Sequence, residues 1–187
     1  YVGSEVSIGS IMVSYLGQEN IAGLSESVAS GYVSFYWGGL LIGRFLGSVS
    51  LSAMEKNKKL LLMSAIPVTA FAIIWLLKGP AIAFTYGIFL IVSLIGFYIG
   101  RSRPGKSLFI FALVAVALLF TTMSTSGHIA MWTVVGVGLF NSIMWSNIFT
   151  LAIKGLGKYT SQASSLLVMA IVGGAVFPAI QGAVADA

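Results

Sequence analysis

The sequence predicts an all-α fold, a polytopic transmembrane helical bundle, and three observations support it. Of 187 residues, 58% are hydrophobic and only 8% are charged, whereas soluble domains carry roughly 25% charged residues. Apolar runs of about 20 residues, the length that spans a bilayer as a helix, alternate with short polar joints. The basic residues fall on every second joint. The chain is therefore expected to be an integral membrane protein.

Seven apolar segments are predicted to cross the membrane as helices. Helices are favoured because a segment in lipid must satisfy its backbone groups internally, and barrel strands would be segments of about 10 residues with alternating polarity. The predicted spans are approximately residues 1–17, 28–51, 60–77, 81–99, 107–124, 129–153 and 162–184.

The distribution of lysine and arginine predicts the orientation of these spans, because cytoplasmic loops are enriched in both. The third joint carries only Lys78. The other nine basic residues lie at the second, fourth and sixth joints: Arg44, Lys56, Lys58, Lys59, Arg101, Arg103, Lys106, Lys154 and Lys158. We therefore expect a cytoplasmic N-terminal end and an external C-terminal end. The net charge of +5 is then a signal of topology and not of nucleic-acid binding.

The second predicted span carries a stripe of small residues. Gly39, Gly43 and Gly47 recur every four residues, so they lie on one face of a helix. Small residues at this spacing let neighbouring helix backbones approach closely. Helix packing is the favoured interpretation of the stripe, and a moving contact between helices is the alternative.

The sixth predicted span places polar side chains in an apolar segment. Asn141 lies at its middle, Trp145 follows four residues later on the same helix face, and Asn147 is about a third of a turn away. An amide in hydrocarbon is expected to face the bundle interior or a water-filled cavity. An amide matches a hydroxyl as both donor and acceptor, and tryptophan offers a flat apolar surface, so the three are candidate sugar-binding residues. The alternatives are that the amides tie helices together and that Trp145 is a core aromatic.

Three further residues are candidates for a functional role. Glu5 is the one acid placed well inside a predicted span, where a carboxylate is a functional hypothesis by default. It could bind a hydroxyl, carry a proton, or reach water at the cytoplasmic end. Tyr36 could donate to a substrate or be a core tyrosine. Arg44 could anchor the topology or join an ion pair that gates a passage.

The composition and motifs of the sequence argue against an enzyme, a metal site and a disulfide framework. There is no cysteine, and there are one histidine and five acids, so a disulfide framework or a metal site is not expected. A G-x-S-x-G elbow is absent, and residues 100–107, GRSRPGKS, which match the letters of the G-x-x-x-x-G-K-[ST] pattern, join two apolar spans and not a strand and a helix, so they are not a phosphate-binding loop. We therefore expect neither an enzyme nor a bound cofactor. Because the chain starts at Tyr1 inside an apolar run, it is expected to be part of a longer protein.

Four motifs resemble one protein family. They are YVGSEVSIGS at 1–10, GGLLIGRFLG at 38–47, GLFNSIMWSNIFTLAIKGLG at 138–157 and SSLLVMAIVGGAVFPAIQG at 164–182. In this order they resemble the C-terminal half of sugar transporters of the fucose–galactose–glucose:proton symporter family, in the major facilitator superfamily. The resemblance implies about twelve helices in two halves, with substrate bound between the halves and access that alternates as they rock.

The resemblance also implies a function and a set of partners. It implies import of a hexose or deoxyhexose through the bacterial inner membrane, with a proton as the coupling ion and no other cofactor. The partners would be the sugar, the lipid bilayer and an N-terminal half absent from this chain, in a complete protein that acts as a monomer. Within the motifs, Arg44 matches the arginine that starts the loop after the eighth helix, and Asn141 matches the tenth helix.

The sequence departs from the family pattern in two places. Fucose-type members commonly have an aromatic–Pro–Thr run where this chain has residues 145–147, so the choice of sugar stays open. The family half without its last helix has five spans, so segments 81–99 and 107–124 are expected to be an extra helical pair or a split ninth helix. Two alternative functions remain: a major facilitator transporter of another small solute, such as a drug, peptide or organic anion, and a non-transporting membrane scaffold.

Overall fold

The computed structural model describes residues 1–100 and 103–186, and in this part of the chain it contains helices and turns without a strand. Arg101, which the sequence places at the fourth joint, lies outside the described residues. Two 3-10 turns cover Gly157–Tyr159 and Ala170–Val172. The α-helices are α1 (Val2–Gly17), α2 (Glu26–Leu51), α3 (Lys56–Lys78), α4 (Pro80–Gly100), α5 (Pro104–Ser124), α6 (Gly127–Asn141), α7 (Met144–Ala152), α8 (Thr160–Met169) and α9 (Gly173–Ala185). The all-α prediction is confirmed.

Five stretches of the described residues are helical, long and apolar enough to cross a membrane. They are Lys56–Lys78, Pro80–Gly100, Pro104–Ser124, Gly127–Ala152 and Gly157–Ala185. The chain is therefore a multi-pass membrane protein. Helices α1 and α2, of 16 and 26 residues, occupy the first two predicted ranges, and the count of seven spans stays a prediction.

The joint between α3 and α4 shows how the sequence sets helix boundaries. Gly79 ends α3 with φ of 85°, a left-handed conformation that glycine adopts without a steric penalty. Pro80 then starts α4, where its missing N–H is no loss because the first turn has no intrahelical acceptor for it. This Gly-Pro pair reverses the chain within two residues, so α3 and α4 pack as neighbours.

Helix α6 is the centre of the bundle. Every residue from 134 to 144 is buried, and α6 contacts α1, α2, α4 and α5. Helix α9 packs mainly on α1, and its described residues include no buried one. The polar residues of the sixth predicted span are therefore in or next to the most enclosed helix.

The glycine stripe of α2 packs against α6 and the turn after it, as the packing interpretation expected. A Cβ atom added at Gly39 would lie 2.9 Å from the backbone nitrogen of Leu139, and one at Gly47 would lie 2.7 Å from Cγ2 of Ile143. Gly43, between them, faces the carbonyl of Leu139 at 3.0 Å. The absence of side chains along this stripe brings α2 onto the backbone of α6.

The sixth predicted span is not one continuous helix, and this corrects the expectation for residues 129–153. Helix α6 ends at Asn141 and α7 begins at Met144. At the interruption, two main-chain carbonyls accept hydrogen bonds from side-chain hydroxyls. Ser142 Oγ donates to Leu139 O over 2.6 Å, and Tyr1 Oη donates to Asn141 O over 2.6 Å. Such replacement is what allows an irregular turn inside a membrane-spanning segment.

Candidate functional site

A buried set of polar side chains lies where α1, α2 and α6 meet. We call it the polar cluster, and its members are Tyr1, Glu5, Tyr36, Arg44 and Asn141. The Tyr36 hydroxyl donates to the Glu5 carbonyl over 2.8 Å, and the Asn141 amide nitrogen donates to the Tyr36 hydroxyl over 3.3 Å. The cluster thus joins three helices through one tyrosine hydroxyl that both donates and accepts.

The Glu5 carboxylate is buried, with 6% of the residue exposed. The Tyr1 hydroxyl lies within hydrogen-bond distance of both Oε2 and the Asn141 carbonyl and has one proton to donate to one of them, and Arg44 Nη2 lies 3.4 Å from Oε1. Each carboxylate oxygen therefore has a polar group beside it, as a buried charge requires. The Arg44 side chain is 53% exposed, so water screens its attraction for Glu5 and the ion pair is weak.

The position of Tyr36 depends on a glycine of α6. Tyr36 is fully buried, and a Cβ atom added at Gly138 would lie 2.9 Å from both the carbonyl carbon and Cδ2 of Tyr36. Without that Cβ, the backbone of α6 lies directly on Tyr36. The same close approach places Asn141, one turn further along α6, within reach of the Tyr36 hydroxyl.

The structure brings together four of the six candidate residues and separates the other two. Glu5, Tyr36, Arg44 and Asn141 are in the polar cluster. Trp145 is half-buried, and its ring contacts Phe149 with centroids 6.2 Å apart. Asn147 is 1% exposed and lines a different cavity, which Arg44 also lines. The spacing argument linked Trp145 to Asn141 on a regular helix, and the interruption between them breaks that helix.

Tyr1 is the member of the cluster that was not among the candidates. It lies four residues before Glu5, and side chains at this spacing are neighbours on a helix surface. The four-residue spacing from Glu5 is the sequence feature that could have identified Tyr1 as a neighbour of Glu5. The contact of Tyr1 with the Asn141 carbonyl had no sequence signal, because it depends on the interruption of the sixth span.

The cavity that Asn147 lines has a volume of about 110 Å³. It lies among the ends of α2 and α4 and the starts of α5 and α7. Its lining combines polar side chains with the apolar Leu51, Phe97 and Ile143. The amide nitrogen of Asn147 is buried and has no hydrogen-bond partner among the described residues.

The polar cluster ties α1, α2 and α6 together through its own hydrogen bonds. It offers hydroxyl, amide and carboxylate groups, which can hydrogen-bond a polar ligand or hold a proton. Across residues 1–100 and 103–186 there is no group of three His, Cys, Asp or Glu residues that could hold a metal ion. A buried polar cluster beside an interrupted helix, in a multi-pass helical bundle, is an arrangement that membrane transporters use.

Known proteins agree with this class. The glucose/galactose transporter of Brucella abortus biovar 1 (strain 9-941) is 41% identical over 187 residues, covering 100% of this chain and 34% of the relative. The putative glucose/galactose transporter of Helicobacter pylori (strain ATCC 700392 / 26695) is 36% identical over 186 residues, covering 100% of this chain and 33% of the relative. The L-fucose-proton symporter of Escherichia coli (strain K12) is 38% identical over 89 residues, 48% of this chain and 20% of the relative. No family model and no solved structure matches the chain.

The chain belongs to the sugar-transporter family that its motifs predicted, and it is homologous to the C-terminal part of these major facilitator transporters. It spans about a third of the length of the curated relatives that it matches in full. These relatives are named as transporters, which agrees with the expectation that the chain is not an enzyme.

Proposed function

We propose that this chain is part of a secondary active transporter that imports a hexose or deoxyhexose with a proton by alternating access. The N-terminal end of the chain would be cytoplasmic and the C-terminal end periplasmic, in a bacterial inner membrane. An N-terminal half outside this chain would supply the opposite wall of the passage. The observation that carries the proposal is the similarity to a glucose/galactose transporter along all 187 residues.

In this proposal, Asn141 and Tyr36 bind sugar hydroxyls. Their mutual hydrogen bond is 3.3 Å long, beyond the usual range for an N–H···O bond, so a sugar hydroxyl can replace it at small cost. The Tyr36 hydroxyl has a second, shorter bond to the Glu5 carbonyl, which keeps its ring in place when a ligand enters. Trp145 and Asn147 would have to approach the sugar through movement of α7, because their contacts here are outside the polar cluster.

Glu5 is the proposed proton-binding group of this part of the transporter. Its carboxylate is shared between a tyrosine hydroxyl and a half-exposed arginine. A proton on Glu5 removes the ion pair and releases Arg44, so proton binding changes the contacts between α1 and α2. That link is the kind of differential contact that alternating access needs.

The sugar-binding role is tested with Asn141→Leu in the full-length transporter. Removing one partner from a buried polar site typically costs about 1–3 kcal/mol, so uptake at low sugar concentration should fall at least about 5-fold. The matched control is Asn20→Leu, the same change at an exposed position. Unchanged uptake kinetics in Asn141→Leu, with normal membrane insertion, would remove Asn141 from the site.

The role of Glu5 in proton coupling is tested with Glu5→Gln in proteoliposomes. Sugar counterflow needs binding and reorientation but no net proton movement, whereas accumulation against a gradient needs proton coupling. We therefore expect Glu5→Gln to lose pH-driven accumulation and keep counterflow. Loss of both activities would assign Glu5 to binding or folding, and retention of both would show that the coupling proton binds elsewhere.

A further inference from the structure

We propose that a crevice between α2 and α3, next to α4, holds one glycerophospholipid, with its phosphate at Lys78 and an acyl chain between the helices. Two adjoining cavities form this crevice, and Lys78, Gly31 and Phe35 line both of them. The crevice lies outside the polar cluster, and lipid binding there does not depend on sugar transport.

The larger cavity suits a hydrocarbon chain. It has a volume of about 330 Å³, and apart from Ser34, Lys78 and the Tyr86 hydroxyl its lining consists of glycines and apolar side chains. Ile74 and Tyr86, which are 9% and 1% exposed, are its most deeply buried lining residues. The Tyr86 hydroxyl already donates to the Phe35 carbonyl over 3.0 Å. A polar solute would leave its own polar groups without partners in this cavity, which costs free energy.

Small residues of α2 keep the larger cavity open. A Cβ atom added at Gly38 would meet nothing within 4 Å, and one at Gly31 would meet only Lys78 Nζ, at 3.9 Å. Leu41 and Leu77 line the cavity and are 55% and 74% exposed. These exposed apolar side chains leave a lateral opening through which an acyl chain can enter between α2 and α3.

The charge of Lys78 has no acidic partner among residues 1–100 and 103–186. Its side chain is exposed in the last turn of α3, and no described carboxylate, that of Glu26 in the first turn of α2 included, lies within 4.0 Å of Nζ. The other nine basic residues lie at the joints expected to be cytoplasmic, so topology gives no reason for a lysine at this end of the bundle. A lipid phosphate supplies the complementary charge.

The smaller cavity, of about 270 Å³, places Lys78 at the level of the lipid headgroups. Ser27 and Tyr32 line it beside Lys78, and the Tyr32 ring contacts the Trp132 ring with centroids 5.5 Å apart. Trp75, in the same turn of α3 as Lys78, is 41% exposed. Tryptophan and tyrosine are enriched at the membrane–water interface. The crevice is therefore apolar on the membrane side of Lys78 and partly polar on the other side, which matches an amphiphile.

The headgroup, and not the acyl chain, is expected to make the site selective. Lipid tails are as apolar as a leucine side chain, so a chain that enters the crevice gains little over one that stays in the bilayer. A lysine near the membrane surface strengthens the binding of an anionic lipid about 5-fold. A phospholipid should therefore bind about 5-fold more tightly than the same lipid without its phosphate.

The test measures lipid binding to the purified full-length protein by native mass spectrometry. The probes are dioctanoyl-phosphatidylglycerol and dioctanoylglycerol, which share their acyl chains and differ in the phosphate headgroup. Each is titrated into delipidated protein, and the Kd of the first bound lipid is read from the fraction of protein that carries one lipid. The Kd of the phosphatidylglycerol should be about 5-fold lower than that of the diacylglycerol.

Two variants locate this binding step. Lys78→Met removes the charge and keeps an apolar stem, so the two Kd values should become equal. Lys56→Met, the same change at the other end of α3, should keep the difference between the two lipids. Gly38→Phe fills the larger cavity and should raise both Kd values. Its control is Gly105→Phe, at a second glycine where an added Cβ atom meets nothing within 4 Å, and this variant should bind like the unaltered protein.

Three results would overturn the proposal. Equal Kd values for the two lipids in the unaltered protein would show that the phosphate is not recognised. A preference that persists in Lys78→Met would show that this lysine serves only the carbonyls at the end of α3. Unchanged binding in Gly38→Phe would show that the lipid binds elsewhere. If Gly38→Phe does not fold, Ser34→Phe decides this last point, because Ser34 is exposed and lines the same cavity.

Discussion

The contact between α2 and α6 gives the sharpest test of the packing, through the substitution Gly39→Ala. A Cβ atom at Gly39 would lie 2.5 Å from Oη of Tyr86, and 2.9 and 3.3 Å from the backbone N and Cα of Leu139. Tyr86 is 1% exposed, and its hydroxyl donates to the Phe35 carbonyl over 3.0 Å. Neither the Leu139 backbone nor the Tyr86 ring can move away without disturbing the core.

The size of the effect follows from a comparison with the next residue. Overpacking a core by one methyl group typically costs about 1–3 kcal/mol, and glycine to alanine in a helix gains about 1 kcal/mol. A Cβ atom at Gly38 would meet nothing within 4 Å, so Gly38→Ala keeps the helical gain alone. The two variants should therefore differ by about 1–3 kcal/mol, which is the cost of the close contact itself.

The assay is thermal unfolding of the purified full-length protein, measured for both variants in one detergent. For a protein about three times the length of this chain, 1 kcal/mol shifts the melting temperature by about 1 °C, so Gly39→Ala should melt roughly 1–3 °C below Gly38→Ala. Adding Tyr86→Phe to Gly39→Ala removes the nearest atom and should recover part of the loss, as a double-mutant cycle detects for residues in contact. Equal melting temperatures for Gly38→Ala and Gly39→Ala would refute the close approach of α2 to α6.

Two other hydrogen bonds can be tested in the same unfolding assay. Tyr36→Phe removes both the acceptor of the Asn141 amide and the 2.8 Å donor to the Glu5 carbonyl, and it should cost about 1–3 kcal/mol because two buried polar groups lose a partner. Tyr98→Phe, at a residue that is 79% exposed, should cost nothing measurable. Thr133→Val removes the 2.8 Å bond to Thr122 on the neighbouring helix and should cost about 0.6 kcal/mol, the average for such bonds in membranes. Thr121→Val, which loses only a bond within its own helix, is its control, and equal losses in the two threonine variants would contradict the interhelical contribution.

Much of the fold could be predicted because every segment that spans the membrane must be an apolar helix of about 20 residues. Apolar length marks the helices: each of the first five predicted ranges corresponds to one α-helix in the structure, and the sixth and seventh each correspond to two. The spacing of Gly39, Gly43 and Gly47 predicted a packing face, and that face lies on α6. The interruption at Ser142 and Ile143 could not be predicted, because no proline marks it. Hydroxyls lie within hydrogen-bond distance of its carbonyls, and one of these belongs to Tyr1, the residue before α1, which is distant in sequence.

The polar cluster could be predicted in part for the same reason. Glu5 and Asn141 stand out as polar groups in apolar runs, and each must find a buried partner. Their common partner Tyr36 has no such signal, since a tyrosine is ordinary in a helix. Asn147 was assigned to the same site from helical spacing. Its place in a separate cavity follows from the break in the span, which helical spacing does not describe.

The interruption after Asn141 has a mechanical consequence. The segment before it is held by the glycines of α2, and the segment after it packs mainly on α5. The span therefore consists of two helices, α6 and α7, joined by residues 142 and 143. The main-chain amides of this joint should exchange with deuterated solvent faster than those of the helices on either side. Because α5 packs on both α6 and α7, a bend at this turn would change the angle between α6 and α7 while both stay in contact with α5.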